Sequence, residues 1–369
     1  MTILYVITEL HEGGAENALF EVASRVAAEG HSVHVVCLYG GQGAVGERLR
    51  GQGIPVHQTG RTLAGGLLRL LRLRSVVTAV QPDLVHAWLF HANFACRLAV
   101  PGHVPLLCSL RVCEPRKSHI LLDRWTRRRV NMYIANSEDV ARFAQKQLRI
   151  AAEKCRVILN GVNVSVFQRD QTRSAIYEKI CGLTVGRVDP QKGQDILIRA
   201  LAGLPPDIPW EWHFAGSVTS EKFGRRLQEI ANRSGIGEKL HWHGQVPRSE
   251  LPELYKQANL LALPSRWEGQ PNVLLEAMAA GVPVLSSMTD GVQELLQEDE
   301  DCLRTVSPNT SEAWTRAMVE VWEHPEERAK QIEAGARLAA NRSWDVTVAE
   351  HLEVYRASLE GRCRKSVKV

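Results

Sequence analysis

The sequence predicts an α/β protein built from two parallel-sheet domains, and three observations carry that prediction. The chain has 369 residues, which suits two domains of ordinary size. Short apolar runs alternate with longer helical patterns, as buried parallel strands and their covering helices do. The alternation runs through the first half and restarts near Gly182.

In the first half, Ile3–Thr8, Ser32–Tyr39, Leu84–Ala87, Leu106–Leu110 and Met132–Ala135 read as strands. The clearest helix between them is Ala15–Gly30, closed by Gly30 as a C-cap. Val157–Asn163 reads as a strand running into turn residues, with the domain junction at 164–178. The second set of strands is Gly182–Val185, Trp210–Ala215, Leu240–Trp242, Leu260–Ala262 and Pro283–Ser286. Trp344–Glu360 reads as a last helix before a basic tail. These boundaries give a first domain over 1–165, a second over 166–345, and a terminal helix with tail over 346–369.

Apolar residues make up 44% of the chain and charged residues 23%, the balance of a soluble globular protein. The net charge of +4 is unevenly placed: residues 101–150 hold ten Arg or Lys against four Asp or Glu. Such a basic excess either faces an anionic surface or is solvated on helix faces. No aromatic-and-basic motif accompanies it, so nucleic acid is not the expected partner. The eight Cys are scattered without a C-x-x-C, which fits reduced thiols better than disulfides. Thr2–Thr8 is apolar, but Glu9 and Glu12 follow and no basic segment precedes, so a signal peptide is not expected. With no apolar run of membrane-spanning length, the expected location is the cytoplasm, with peripheral contact at the inner face of the membrane.

The strongest constellation is the run from Ser265 to Val284. It follows a buried strand, passes a Gly/Pro/Asn loop and enters a helix ending at Gly281. Glu268 then lies at the strand's carboxyl end, where open α/β sheets bind ligands, and Glu276 about two turns on. Helix-entrance N–H groups suit an anion, and paired carboxylates suit sugar and ribose hydroxyls. A second loop, Val185 to Gly193, carries Arg187 and Lys192, two cations suited to a diphosphate. Near the N-terminus, Gly13 and Gly14 follow the first strand and open a helix, which lets a backbone approach a phosphate closely.

These segments resemble the retaining glycosyltransferases of the GT-B fold, glycosyltransferase family 4-like. Glu268 and Glu276 stand as in the family's E-x7-E motif, and Gly186-Arg187 with Lys192-Gly193 as in its G-R-x-x-x-x-K-G segment. Phe214-Ala215-Gly216, His243-Gly244-Gln245-Val246-Pro247 and Gly13-Gly14-Ala15-Glu16 follow in the matching places. Departures occur at Gln270, usually aromatic, at Val292 and Cys302, usually Gly, and at Trp88, usually His. His91, just beyond that strand, stands in for the last, and His86 is the weaker candidate. The resemblance implies two Rossmann-like domains facing a cleft, the last helix crossing back to the first domain. It implies catalytic roles for Glu268, Arg187, Lys192 and His91. Donor contacts fall to Gly13, Gly14, Gly186, Val246, Gly269, Asn272, Val273 and Glu276. The implied donor is a nucleotide diphosphate sugar, the acceptor a glycan or lipid-linked hydroxyl, and the chemistry retaining, with no metal and no further cofactor.

Three patterns point elsewhere and are set aside. Gly41–Gly46 spells G-x-G-x-x-G, but after the second strand and without the acid a dinucleotide site needs. Asp299-Glu300-Asp301 spells D-x-D in an acidic turn. His241 and His243 are placed on opposite faces of one strand, so no chelating pair is expected. A nucleotide-sugar epimerase of the same fold and a non-catalytic binding module are the alternatives. The E-x7-E pair argues against the first, and intact Glu268, Glu276, Arg187 and Lys192 argue against the second.

Overall fold

The computed structural model describes residues 1–11, 13–39, 43–60, 66–113, 116–168, 177–268 and 270–366, the last five as backbone only. The chain divides into two compact units, Met1–Asn160 with Trp344–Val369, and Gly161–Ser343.

Unit 1 carries seven strands: β1 (Thr2–Ile7), β2 (Ser32–Cys37), β3 (Val56–Gln58), β4 (Leu84–Trp88), β5 (Leu106–Leu110), β6 (Met132–Ala135) and β7 (Cys155–Val157). They pair in parallel in the order β3-β2-β1-β4-β5-β6-β7. β1 is apolar without alternation because both of its faces are covered. Ile3, Tyr5 and Ile7 pack on one core with Leu19, Val22 and Leu352. Leu4 and Val6 point to the other, with Leu73, Val77 and Cys96. The helix Trp344–Ser366 returns to unit 1 and packs on the helix Gly14–Ala28, where Arg25 Nε meets Asp345 at 3.0 Å.

Unit 2 repeats the plan with β8 (Ile180–Val185), β9 (Trp210–Ala215), β10 (Leu240–Gly244), β11 (Leu260–Leu263), β12 (Val284–Ser287) and β13 (Arg304–Val306). The order is β10-β9-β8-β11-β12-β13, again parallel. Each sheet thus reverses direction of growth beside its first strand, the topology of a doubly wound dinucleotide-binding domain. The expected strand at Val157–Asn163 stops at Val157; beyond it Val162 makes a lone bridge to Ser343. Cys37 and Cys108 are buried in strands and Cys181 is half-buried; all three are free.

A buried polar cluster ties the last helix to the first sheet. His86 Nδ1 lies 2.8 Å from the Tyr355 hydroxyl and Nε2 2.8 Å from Ser109 Oγ. Tyr5 OH is 3.2 Å from Tyr355 OH, and His351 stacks on Trp88. Burial, with Arg111 close by, holds His86 well below the usual imidazole value and His351 at about 4. Both rings are therefore neutral in the folded protein. Below an unfolded value of about 6.5, the unfolded chain takes up protons that the folded one refuses. Stability is full above pH 7 and falls as pH drops toward 4. Urea unfolding should show a loss of roughly 3 kcal/mol between pH 7 and 5, halved in His351→Gln. Equal stabilities at the two pH values contradict this.

Candidate active site

In open α/β sheets, ligands bind outside the carboxyl ends of the strands where the order reverses. In unit 2 that place lies between β8 and β11. The loop after β8 turns at Gly186 (φ +147°) and reaches Gly193 (φ +67°), where a Cβ would stand 2.1 Å from the carbonyl oxygen of Pro264. Only glycine permits this approach of the two loops. Asp189 shapes the turn: Oδ1 accepts the Gln191 N–H at 2.9 Å and Oδ2 the Thr219 hydroxyl at 2.9 Å. Burial works against that carboxylate, but the two bonds and nearby Arg187 and Lys192 hold it below its usual range. Arg266 joins the loops, its N–H donating to Gln191 O at 2.7 Å and its guanidinium gripping Asp195 at 3.1 and 3.0 Å.

The seam brings Lys192 and Glu268 together. Lys192 Nζ is 2.5 Å from Glu268 Oε1, and the Ser265 hydroxyl donates to the same oxygen at 2.6 Å. The Glu268 side chain is only 9% exposed, so losing that cation would leave a largely buried carboxylate without its ion pair. Arg187 stands exposed on the same loop as Lys192. Glu276 sits inside the helix Asn272–Ala279 at 2% exposure. Arg248 reaches its Oε1 at 2.9 Å, and the Tyr255 hydroxyl donates to its Oε2 at 2.9 Å. Burial and the Glu276 carboxylate push the Tyr255 phenol well above its ordinary value. Asn272 and Val273 open the helix, half-buried, and Val246 packs half-buried in the segment after β10. Gly269 lies outside the described residues. Sequence reasoning assigned nothing to Ser265, Arg248 or Tyr255. Ser265 stood three residues from Glu268 and Arg248 two from Val246; Tyr255 carried no local signal.

In unit 1 the reversal lies between β1 and β4. Gly13 caps the helix Gly14–Ala28; a Cβ there would lie 2.3 Å from Glu16 Oε2. Next to β4, Leu89 holds φ +72°, a strained value for a branched residue, and delivers exposed His91 in the first turn of the helix Phe90–Ala99. His86 is fully buried with both ring nitrogens engaged, so it cannot meet a substrate. Asp299 of the D-x-D turn pairs with Arg337 at 3.2 Å.

One sequence expectation is corrected. His241 and His243 do not face opposite ways: both stack on His213, with ring centroids 4.7 and 5.2 Å away. The strand period is two, so residues two apart share a face.

Two reversal-point sites on two doubly wound units define a GT-B glycosyltransferase fold, and solved structures bear this out. Anabaena HepE in complex with UDP aligns over 97% of this chain and 100% of its own, with TM-score 0.84 and 22% identity. The same protein in complex with UDP-glucose gives 0.82. A glycosyltransferase from Rickettsia africae aligns over 97% and 98%, with TM-score 0.85 and 19% identity. The description "Glycosyl transferases group 1" matches residues 167–338, and "Glycosyltransferase Family 4" matches residues 12–166. The chain belongs to this glycosyltransferase family, the family 4-like transferases of the GT-B fold. A D-inositol 3-phosphate glycosyltransferase of Streptomyces scabiei is 26% identical over 316 residues, 78% of this chain. The chain spans 70% of that relative's length and 56% of each of the next two.

Proposed function

We propose that the protein is a retaining, metal-independent glycosyltransferase that moves a sugar from a nucleotide diphosphate to a hydroxyl of a glycan or lipid-linked acceptor. The observation that carries this reading is the Lys192–Glu268 pair at the β8–β11 reversal, beside exposed Arg187. The HepE complexes with UDP and UDP-glucose support a nucleotide-sugar donor. Breaking a glycosyl–phosphate bond builds negative charge on the diphosphate and positive charge on the sugar. Lys192 and Arg187 offset the first, a fixed field that needs no metal. Glu268 orients sugar hydroxyls and Glu276 the ribose. Asn272 and Val273 offer backbone N–H groups at the start of their helix, Gly186 lets the loop turn beside the diphosphate, and Val246 lies by the base. In unit 1, Gly13 and Gly14 serve as an anion-binding helix start and His91 meets the acceptor. Glu268 is tied to Lys192 and Ser265, which suits positioning better than attack on the sugar. The acceptor hydroxyl therefore attacks from the leaving-group face, and the departing phosphate takes its proton.

The test is incubation with a panel of sugar nucleotides and hydroxyl acceptors, D-inositol 3-phosphate included, with EDTA throughout. Transfer is expected, with the donor's anomeric configuration kept in the product by NMR. An inverted product, or a rate lost in EDTA and restored by Mg²⁺ or Mn²⁺, overturns it.

Docking of unit 1 on an anionic membrane, at the inner face, belongs to the same proposal. No described helix is long and apolar enough to cross a membrane. Leu67, Leu68 and Leu71 are 74%, 54% and 57% exposed on the helix Gly66–Val80, among Arg72 and Arg74. Leu121 and Trp125 are likewise exposed on the helix Lys117–Thr126, next to Arg127 and Arg128. Both helices pack on Phe90–Ala99. Arg129, grouped with them by sequence, instead donates to the carbonyls of Pro101 and Val104 at 2.6 and 3.0 Å and holds a loop. Basic helices with exposed apolar residues lie at lipid interfaces, at about 1 kcal/mol per basic residue. Sedimentation with phosphatidylglycerol vesicles should show salt-sensitive binding, weakened about thirtyfold in Arg127→Ser/Arg128→Ser. Equal recovery with neutral and anionic vesicles contradicts it.

A further inference from the structure

The histidines on β9 and β10 play no part in the donor site, yet they converge. Glu211 and His213 lie on one face of β9, and His241 stands directly opposite His213 in the β9–β10 register. Nε2 of His213 is 3.9 Å from Glu211 Oε1, and Nε2 of His241 is 3.7 Å from Glu211 Oε2. Ligand atoms of the three residues all fall within 4.8 Å of one another. Three ligands set tetrahedrally around Zn²⁺ stand about 3.4 Å apart. Small side-chain rotations therefore close the set on one ion.

We propose that this face of β9 and β10 is a transition-metal site of the Zn²⁺ class, with Glu211, His213 and His241 as ligands. His243 orients the site: its Nε2 lies 2.9 Å from His213 Nδ1. When His213 Nδ1–H donates there, the Nε2 lone pair is left for the metal, the usual outer-shell arrangement. The three side chains are between 24% and 43% exposed, which leaves an entry path and an open fourth position for water. A hollow of about 90 Å³ adjoins them, lined by Cys181, Leu254 and Gln257 among others.

Lys179 supplies the built-in competitor. Its Nζ lies 2.9 Å from Glu211 Oε1, in an ion pair with that carboxylate. A divalent cation must displace it. Glu211 precedes Gly216 at the strand's carboxyl end by roughly 16 Å of chain, so the ion serves edge strand β10 and not the transfer step. Joining an edge strand to its neighbour, it stabilises the folded state that binds it.

The experiment uses tag-free full-length protein, stripped by chelator and titrated with Zn²⁺ against a chromophoric competitor. One equivalent is expected to bind, raising Tm, with initial transfer rates at 20 °C the same before and after chelation. His241→Ala and Glu211→Gln should each weaken binding at least tenfold, whereas Lys179→Gln should strengthen it. Nucleotide binding checks that the variants are folded. Co²⁺ should give the strong visible bands of a four- or five-coordinate ion. No saturable equivalent, weak octahedral Co²⁺ bands, or affinity unmoved by His241→Ala and Lys179→Gln overturns the site.

Discussion

Replacing Lys192 with alanine is expected to cut kcat by about 10²–10³, the scale of removing one preorganised charge from a transition state. KM should change far less, because the diphosphate develops its extra charge only as the bond breaks. The same substitution strips the cation from a carboxylate that is 9% exposed, so it also destabilises unit 2. The two effects separate in the double variant Lys192→Ala/Glu268→Gln. There the neutral amide needs no cation, so stability returns and turnover does not. Glu268→Ala alone should lower kcat while unit 2 stays folded, since it removes the buried carboxylate itself and leaves Lys192, whose side chain is 16% exposed, a path to solvent. Near-wild-type turnover in Lys192→Ala, with a proven acceptor, contradicts the roles given to this pair.

Glu276→Ala is expected to act on binding instead. A hydrogen bond to a charged group contributes about 1.5–3 kcal/mol, so donor Kd should rise between roughly tenfold and a hundredfold. Arg248 and Tyr255 already hold both carboxylate oxygens. That grip fixes the side chain so that ribose meets a preset acceptor, at little cost in ordering. Arg248→Ala should therefore raise Kd in the same direction and leave a buried carboxylate unpaired. A double-mutant cycle by calorimetry measures the coupling; strict additivity of the two changes, or an unchanged Kd in Glu276→Ala, contradicts it.

The split between what sequence shows and hides follows physical lines. β1, β2, β4 to β6, β8, β11 and β12 were legible because strands covered on both faces read as near-continuous apolar runs, whereas β9 and β10 alternate apolar residues with Glu211, His213 and His241. β3 and β13 were missed, and β7 was read as starting at Val157, where it in fact ends. Each has three residues and carries polar side chains, His57 and Gln58 or Arg304 among them; their pairing comes from the neighbouring strand's register. Glu268 and Glu276 could be placed on a loop and a helix because Gly, Pro and Asn mark the boundary between them. Arg248 and Tyr255 could not be joined to Glu276: they lie 28 and 21 positions away, Arg248 in a turn and Tyr255 on the helix Leu251–Gln257, and only tertiary packing brings them there. Arg129 shows the reverse case, in which composition suggested a surface charge and loop carbonyls claimed it. The His241–His243 error came from misapplying a period that β10 itself obeys.

Thermal unfolding in the presence of nucleoside diphosphates and their sugars tests the donor site in unit 2 most directly. At about 100 times its Kd, a ligand that binds only the folded state contributes about 2.7 kcal/mol. For a unit of this size that raises Tm by roughly 5–10 °C. One of UDP, ADP and GDP, with its sugar, is expected to give such a rise, and Glu276→Ala to remove at least about half of it at the same concentration. No rise with any of them, or an undiminished rise in Glu276→Ala, contradicts a nucleotide-sugar site at the β8–β11 reversal.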